Sequence, residues 1–359
     1  MQAVEAANST AALVALYGRI FDPTSLGALS MLKLSVLGAA LLAVFMIILM
    51  VRHTRAEEET GRLELVRATV VGRFASLTAA LILCWATSIG LGLVTAAGLT
   101  AAGLPAAGSL AFGLAWSAVG VIFSSVAAIA AQLARTSRGA IGLSVAVLGA
   151  TYLMRAIADA SAGDLDWLSW PSPLGLGQQL RAYAGDRFWV LLFMALFALV
   201  LAGVALTLCS ARDLSAGLLS DRAGSMHASS ALRGPLGLAW RLQRASLLAW
   251  LGGFVVLGLV LGNIAASVTS MVDSGPAREL IAKLGGTEVM TDAFLATEMS
   301  FVGFIAAAYG IQAAMRLRSE ENLGHAQAIL STSVTRNRWA VSHLSVSLAG
   351  VAALSWPVG

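Results

Sequence analysis

Eight apolar stretches, each about the ~20 residues that a helix needs to cross the hydrocarbon of a bilayer, recur along the chain and leave it few folds to choose from. They run near Leu34 to Val51, Phe74 to Ala97, Ser109 to Leu133, Ala140 to Ala160, Phe188 to Cys209, Leu247 to Met271, Thr297 to Met315 and Trp339 to Val358. The runs are continuous, whereas barrel strands alternate polar and apolar residues over about ten positions. With 58% hydrophobic and 12% charged residues there is too little polar surface to cover a water-soluble body. The expected class is an all-α integral membrane protein, a polytopic helical bundle in the cell membrane.

The connections between the runs alternate in charge. One set holds Arg52, Arg55, Arg62, Arg67 and Arg73, then Arg135 and Arg138, then Arg212, Arg222, Arg233, Arg241 and Arg244, then Arg316, Arg318, Arg336 and Arg338. The other carries Asp22, Asp159, Asp164, Asp166, Asp186, Asp273, Glu279, Glu288 and Asp292. The positive-inside rule makes the first set cytoplasmic and the second outward. The alternation closes only if all eight runs cross. The net charge of +4 is therefore topological, and nucleic acid is not an expected partner. Trp167, Trp170, Trp189, Trp240, Trp250, Trp339 and Trp356 fall near run ends, where amphipathic rings suit the interface. No secretory signal peptide is visible at the start. Cys84 and Cys209 lie in or at the end of apolar runs and read as small buried hydrophobes.

Two charged connections match each other. Arg55-Ala-Glu57-Glu58-Glu59-Thr-Gly61-Arg-Leu-Glu64-Leu-Val66-Arg-Ala-Thr69-Val-Val71-Gly-Arg73 and Arg318-Ser-Glu320-Glu321-Asn322-Leu-Gly324-His-Ala-Gln327-Ala-Ile329-Leu-Ser-Thr332-Ser-Val334-Thr-Arg336 are identical at 7 of 19 positions. The offset, measured from Gly61 to Gly324, is 263 residues. A duplication follows, with a first half over 1–209 that contains the segment 55–73, a linker over 210–234 and a second half over 235–359 that contains 318–336. At that offset Leu236 to Met271 maps before Met1, so the expected protein has two pseudo-symmetric six-span halves and the chain lacks a first span and part of its second half. Within the first segment the carboxylates favour the start of a short surface helix, Arg67 and Arg73 its end, and Glu58 and Arg62 are spaced to pair. A glycine at the same place in both copies, Gly61 and Gly324, permits close approach of another backbone, as where a partner docks.

The run Arg55 to Arg73 resembles the cytoplasmic coupling segment of ABC-type permeases that export polyketide antibiotics and related drugs, the tetronasin-like and multidrug efflux permeases. Arg318 to Arg336 resembles its second-half counterpart, with Asn322 and Gln327 in place of acidic residues. Trp167-Leu-Ser-Trp170-Pro171-Ser-Pro173, Gln178-Gln179-Leu-Arg181-Ala-Tyr183 and Pro235-Leu-Gly-Leu-Ala-Trp240-Arg241 extend the resemblance over essentially the whole chain. It implies an ABC-2-type permease fold above two copies of an ABC ATPase subunit. The residues it assigns to ATPase coupling are Glu57, Glu58, Glu59, Gly61, Glu64 and Arg73, with Glu320, Glu321, Gly324 and Arg336. The chain has no phosphate-binding loop, and its only lysines are Lys33 and Lys283, so ATP and Mg act through the partner and no cofactor or catalytic residue is expected here.

Lys33, Arg155, Asp159 and Glu298 all fall near run ends, so groups for an ion pathway are scarce. This favours an apolar or amphipathic small-molecule cargo moved at the expense of ATP over an ion-coupled carrier or a membrane scaffold. Phe45, Trp85, Trp116 and Phe123 are the expected aromatics of the cargo path. Arg155 and Asp159, four residues apart, read as an ion pair near the outer interface. Asp164 to Arg187 reads either as a re-entrant element or as an ordered surface loop. Gly258 and Gly262 suit close helix packing. His53, His227, His325 and His343 read as solvated, without metal spacing.

Overall fold

In hydrocarbon every backbone N–H and C=O must find a partner within the protein, and a continuous apolar run meets that demand by becoming a helix. The computed structural model describes residues 11–22, 24–61, 71–161, 164–211, 234–272, 303, 306–321 and 324–355, the side chains of 11–13, 256–257 and 259–272 excepted. Among these residues it is helical throughout and has no strand. The chain divides into two compact units, Met1–Arg222 and Ala223–Gly359.

The first unit contains α1 (Ala11–Tyr17), α2 (Leu26–Arg52), α3 (Arg55–Glu59), α4 (Ala75–Ala101), α5 (Ala106–Leu133) and α6 (Ser137–Ala160). A 3-10 turn (Asp166–Ser169), α7 (Pro173–Gln179) and α8 (Trp189–Ala211) follow. Polar residues at the ends of the apolar runs start these helices: Ser25, Thr136 and Ser172 each accept a backbone N–H three residues on, from Ala28, Gly139 and Gly175. The helices α2, α4, α5, α6 and α8 are long and apolar enough to cross a membrane. The chain is a multi-pass membrane protein.

The second unit contains α9 (Pro235–Val272), α10 (306–321), α11 (His325–Leu330) and α12 (Arg336–Ser355). The other three expected spans fall on α9, α10 and α12, and residues 297–302 and 356–358 lie outside the described residues. In α12, Ser342, His343, Ser345 and Ser347 interrupt the apolar run. Most of the expected linker, 212–233, is also outside them.

The centre of the first unit is α5, packed by α2, α4 and α8. Lipid tails are as apolar as leucine, so burial of apolar surface does not hold spans together and close backbone approach must. On α4, Ser88, Gly92 and Ala96 form a stripe at helical spacing that meets Gly113, Ser117 and Gly120 of α5. A Cβ on Gly113 would lie 2.2 Å from the Gly92 carbonyl oxygen, and one on Gly92 would lie 2.3 Å from that of Gly113. One turn away the hydroxyl of Ser88 donates to the Ser117 carbonyl at 2.9 Å, and that of Ser117 to the Ser88 carbonyl at 3.2 Å. This seam is the small-residue packing expected of Gly258 and Gly262; Gly258 is itself exposed. On α8, Val190, Met194, Ala198, Ala202 and Ala205 face inward while Leu192, Phe193, Leu196, Leu199 and Val200 face out, a lipid-facing side at helical period.

The second unit holds a polar cluster within its apolar core. Gln243 of α9 lies 3.3 Å from His343 Nδ1, and the Ser347 hydroxyl donates to the Gln243 carbonyl oxygen at 3.3 Å. His343 is 1% exposed and Trp339 2%, which corrects the expectation of a solvated histidine and an interfacial tryptophan there. The reason is that both lie on the face of α12 turned toward α9 and α10, a matter of rotation that position in the run does not reveal. His325 is largely exposed, as expected.

Gly113→Leu should force α4 and α5 apart and lower stability by about 1–3 kcal/mol, the usual penalty of overpacking. Gly149→Leu, on an open face of α6, should change thermal unfolding in detergent little, and the two variants measured side by side test the seam.

Candidate coupling joint and outward cavity

The arginine-rich end of the first unit is built around α3. Arg55, only 2% exposed, pairs with Glu58 at 2.6 Å and donates through Nε to the Arg135 carbonyl at 2.8 Å. Glu59 accepts the backbone N–H of Ser137 at 2.7 Å and its hydroxyl at 2.6 Å, which places a carboxylate at the positive end of α6. The Thr54 hydroxyl closes onto the Met50 carbonyl at 2.7 Å, continuing α2 into α3. The short helix is thereby tied to the α5–α6 connection by a guanidinium at one end and a carboxylate at the other.

Glu58 pairs with Arg55, one turn before it on the same helix, while Arg62, its expected partner, lies outside the described residues. Gly61 has φ +72° and Gly324 φ +74°, and among the described residues no atom lies within 4 Å of a Cβ built on either. A left-handed turn follows the acidic residues in both copies, a conformation in which other L-residues are strained, and this by itself accounts for a glycine at that place.

The other expected coupling residues are placed as follows. Glu57 is half-buried in the first turn of α3, Arg73 is exposed just before α4, and Glu64 lies outside the described residues. In the second unit Glu320 bridges Arg316 and His325, both at 3.0 Å, and Glu321 pairs with Arg336 at 2.8 Å. Arg318, Glu321, Arg336, Met315 and Trp339 line one shallow cleft. In each copy at least one of the paired glutamates is thus held by an arginine of its own unit, Glu58 by Arg55 and Glu320 and Glu321 by Arg316 and Arg336.

The acidic end of the first unit is locked by different contacts. Arg155, fully buried, pairs with Asp159 at 3.1 Å, lies 4.7 Å from the Tyr152 ring centre and donates to the Ala15 carbonyl. Tyr152 donates to the Leu16 carbonyl at 2.8 Å, and Arg19 reaches the Asp159 carbonyl at 3.0 Å and the Asp166 carboxylate at 2.9 Å. The last carbonyls of α1, left without helical partners, are satisfied by side chains of α6. The expected ion pair exists, and its larger task is to fasten α1 to the bundle.

The segment from Asp164 to Arg187 is ordered and folds in against the neighbouring helices. Leu174, Leu176 and Leu180 are buried, α7 packs against α2, α5, α6 and α8, and Ser172 donates to the Thr151 carbonyl at 2.8 Å. Beneath it lies a cavity lined by Phe21, Met31, Phe112, Trp116, Gln178 and Arg181, among others. Of the four aromatics expected on a cargo path, the structure brings only Trp116 to this cavity, its ring lying over Gly38 and its Nε1 donating to the Ser35 carbonyl at 3.3 Å. Phe123 is buried in the core, Trp85 packs against it, and Phe45 faces out. The sequence reading missed Arg181, for which the signal was a lone arginine between glutamine and tyrosine in a segment already singled out. Among the described residues there is no cluster of metal-ligating groups.

Arg55→Ala leaves the Glu58 carboxylate without its cation and should lower stability by roughly 3 kcal/mol, with Arg55→Met/Glu58→Met recovering much of the loss in denaturant titrations. Gly61→Asn, which tolerates a left-handed backbone, should unfold like the unaltered protein, and Gly61→Val should be less stable by about 1–2 kcal/mol.

The comparisons with known proteins agree with these features. Residues 232–359 match the C-terminal domain of the multidrug efflux system permease Rv1217c. Over 339 residues, 94% of its length, the chain is 43% identical to the multidrug efflux system permease protein Rv1217c of Mycobacterium tuberculosis. The match covers 61% of that protein, so the chain spans about three-fifths of its relative's length. Along nearly all of its residues, and with the apolar helices of a polytopic protein, the chain is thus similar to a multidrug efflux permease.

Proposed function

We propose that the chain is the transmembrane subunit of an ATP-driven, ABC-2-type exporter in the plasma membrane, moving hydrophobic or amphipathic small molecules such as polyketide antibiotics and drugs out of the cell. ATP and Mg act on a separate ABC ATPase, two copies of which dock on the arginine-rich end against α3 and its counterpart around Glu320 and Glu321. The chain itself carries no catalytic group. It forms two pseudo-symmetric halves, and closure of the ATPase pair moves them as rigid bodies.

The observation that carries this reading is the joint at Arg55, Glu58 and Glu59. An isolated helix of five residues is too short to hold its shape in water. Bolted to the Arg135 carbonyl and to the first residue of α6, it becomes a lever whose displacement reaches α5 and α6 together. The identity with a multidrug efflux permease supports the transport half of the reading. Ion-coupled transport has one observation in its favour, the buried Gln243–His343–Ser347 cluster, since polar ionisable groups within spans often serve ion movement.

Glu58→Lys sets a second cation against Arg55 and should abolish dye efflux by cells that co-express the ATPase while leaving membrane insertion intact. Efflux should stop when ATP is depleted and survive a protonophore. Loss with the protonophore alone, together with loss in His343→Ala, would move the assignment to the ion-coupled carrier.

A further inference from the structure

We propose that the outward cavity of the first unit binds an amphipathic anion, its carboxylate or phosphate group on Arg181 and its apolar body between Phe21, Phe112 and Trp116. This deepens the transport reading by naming the chemistry that the cavity accepts, and it rests on that reading for the role of the bound molecule but not for its binding.

Charge and shape point to the same ligand. The cavity wall includes two arginines, Arg19 and Arg181, and no aspartate or glutamate among the described residues. Arg19 is already engaged by Asp166. No carboxylate among the described residues pairs with Arg181: its guanidinium lies 4.5 Å from the ring centre of Phe21, and its Nε is buried without an acceptor among them. A ring face attracts the cation yet leaves its N–H groups unbonded, so the donors remain available. Desolvation and the neighbouring Arg187 disfavour the charged guanidinium, and an incoming anion would relieve both. Most of the other lining residues, Ile20, Met31, Leu32, Phe112 and Trp116 among them, are apolar or aromatic and suit a hydrocarbon or ring system, with Ser35 and Gln178 as polar exceptions.

The turn that presents Arg181 is held in an unusual conformation. Arg181, Tyr183 and Asp186 have φ of 51°, 61° and 33°, left-handed values in three residues that are not glycine. Such backbone persists only where its surroundings over-determine it, and it concentrates at binding sites. Here the surroundings are specific. The Tyr183 ring fills the space left by Gly27 of α2 and Gly108 of α5, where a Cβ would lie 2.6 and 2.1 Å from it, and its hydroxyl shares a 2.9 Å hydrogen bond with Ser109. The Asp186 carboxylate accepts the Tyr183 backbone N–H at 2.8 Å. Tyr183 acts as a positioning residue that wedges the turn between two spans and aims Arg181 at Phe21.

The test uses the full chain in nanodiscs of zwitterionic lipid, without nucleotide, so that failure of ATPase coupling cannot affect it. A dansyl-labelled long-chain fatty acid and its methyl ester are titrated separately. The acid should bind at least about tenfold more tightly than the ester, as a charge-assisted contact requires. Arg181→Gln should remove that preference and leave ester binding unchanged, and Arg181→Lys should restore part of it. Equal binding of acid and ester by the unaltered protein, or an unaltered preference in a folded Arg181→Gln variant, would overturn the proposal. Competition by phosphatidylglycerol in the nanodisc would identify a lipid headgroup as an occupant, whereas competition confined to soluble carboxylates would identify cargo; either supports the shared anion chemistry.

Discussion

Spans immersed in lipid gain nothing from hiding apolar side chains from one another, and the first unit is organised around the alternative, close contact of backbones. The seam of Ser88, Gly92 and Ala96 against Gly113, Ser117 and Gly120 brings α4 and α5 near enough that a single methyl group would collide with a carbonyl. Dispersion and paired serine bonds act at that distance, both of which fall away quickly as helices separate. With α5 fixed, α2 and α8 pack on its remaining faces. The larger side chains of α8 then turn to the lipid, where their bulk meets no steric limit.

The two ends of this bundle are fastened by opposite uses of charge. At the arginine-rich end the buried Arg55 guanidinium and the Glu59 carboxylate join α3 to the turn that starts α6, Arg55 through the Arg135 carbonyl and Glu59 through the backbone N–H and hydroxyl of Ser137, while Glu58 neutralises Arg55. At the acidic end Arg155 and Arg19 close the last carbonyls of α1 and the end of α6, and α7 enters between the spans. Among the described residues Arg181 has no anionic partner there and lies over the Phe21 ring instead. One end is thus tied together by ion pairs, and the other encloses a cavity.

Gly61 and Gly324 coincide in two related segments, and both take a left-handed turn after an acidic helix end, a constraint that acts whether or not a partner backbone also approaches there. Sequence coincidence reports that a position is constrained; it does not distinguish a constraint on torsion from one on space. His343 taught the same lesson for burial, since a residue near the end of an apolar run lies in water or in the core according to the rotation of its helix.

Chemical composition alone determined that this chain is a helical, multi-pass membrane protein, because runs of apolar residues leave the backbone no other way to satisfy its hydrogen bonds in hydrocarbon. The alternation of arginine-rich and acidic connections is likewise a linear property of the chain, from which the expected sidedness was read. The Arg155–Asp159 pair was legible for the same reason, both residues lying one turn apart. Tertiary structure decided the rest. Which of four aromatics reaches the cavity, how Arg55 finds the Arg135 carbonyl, how Glu59 finds Ser137 and why Arg181 faces Phe21 all depend on helix rotation and on contacts between residues far apart in sequence. No local pattern encodes those, because they exist only after the spans have packed.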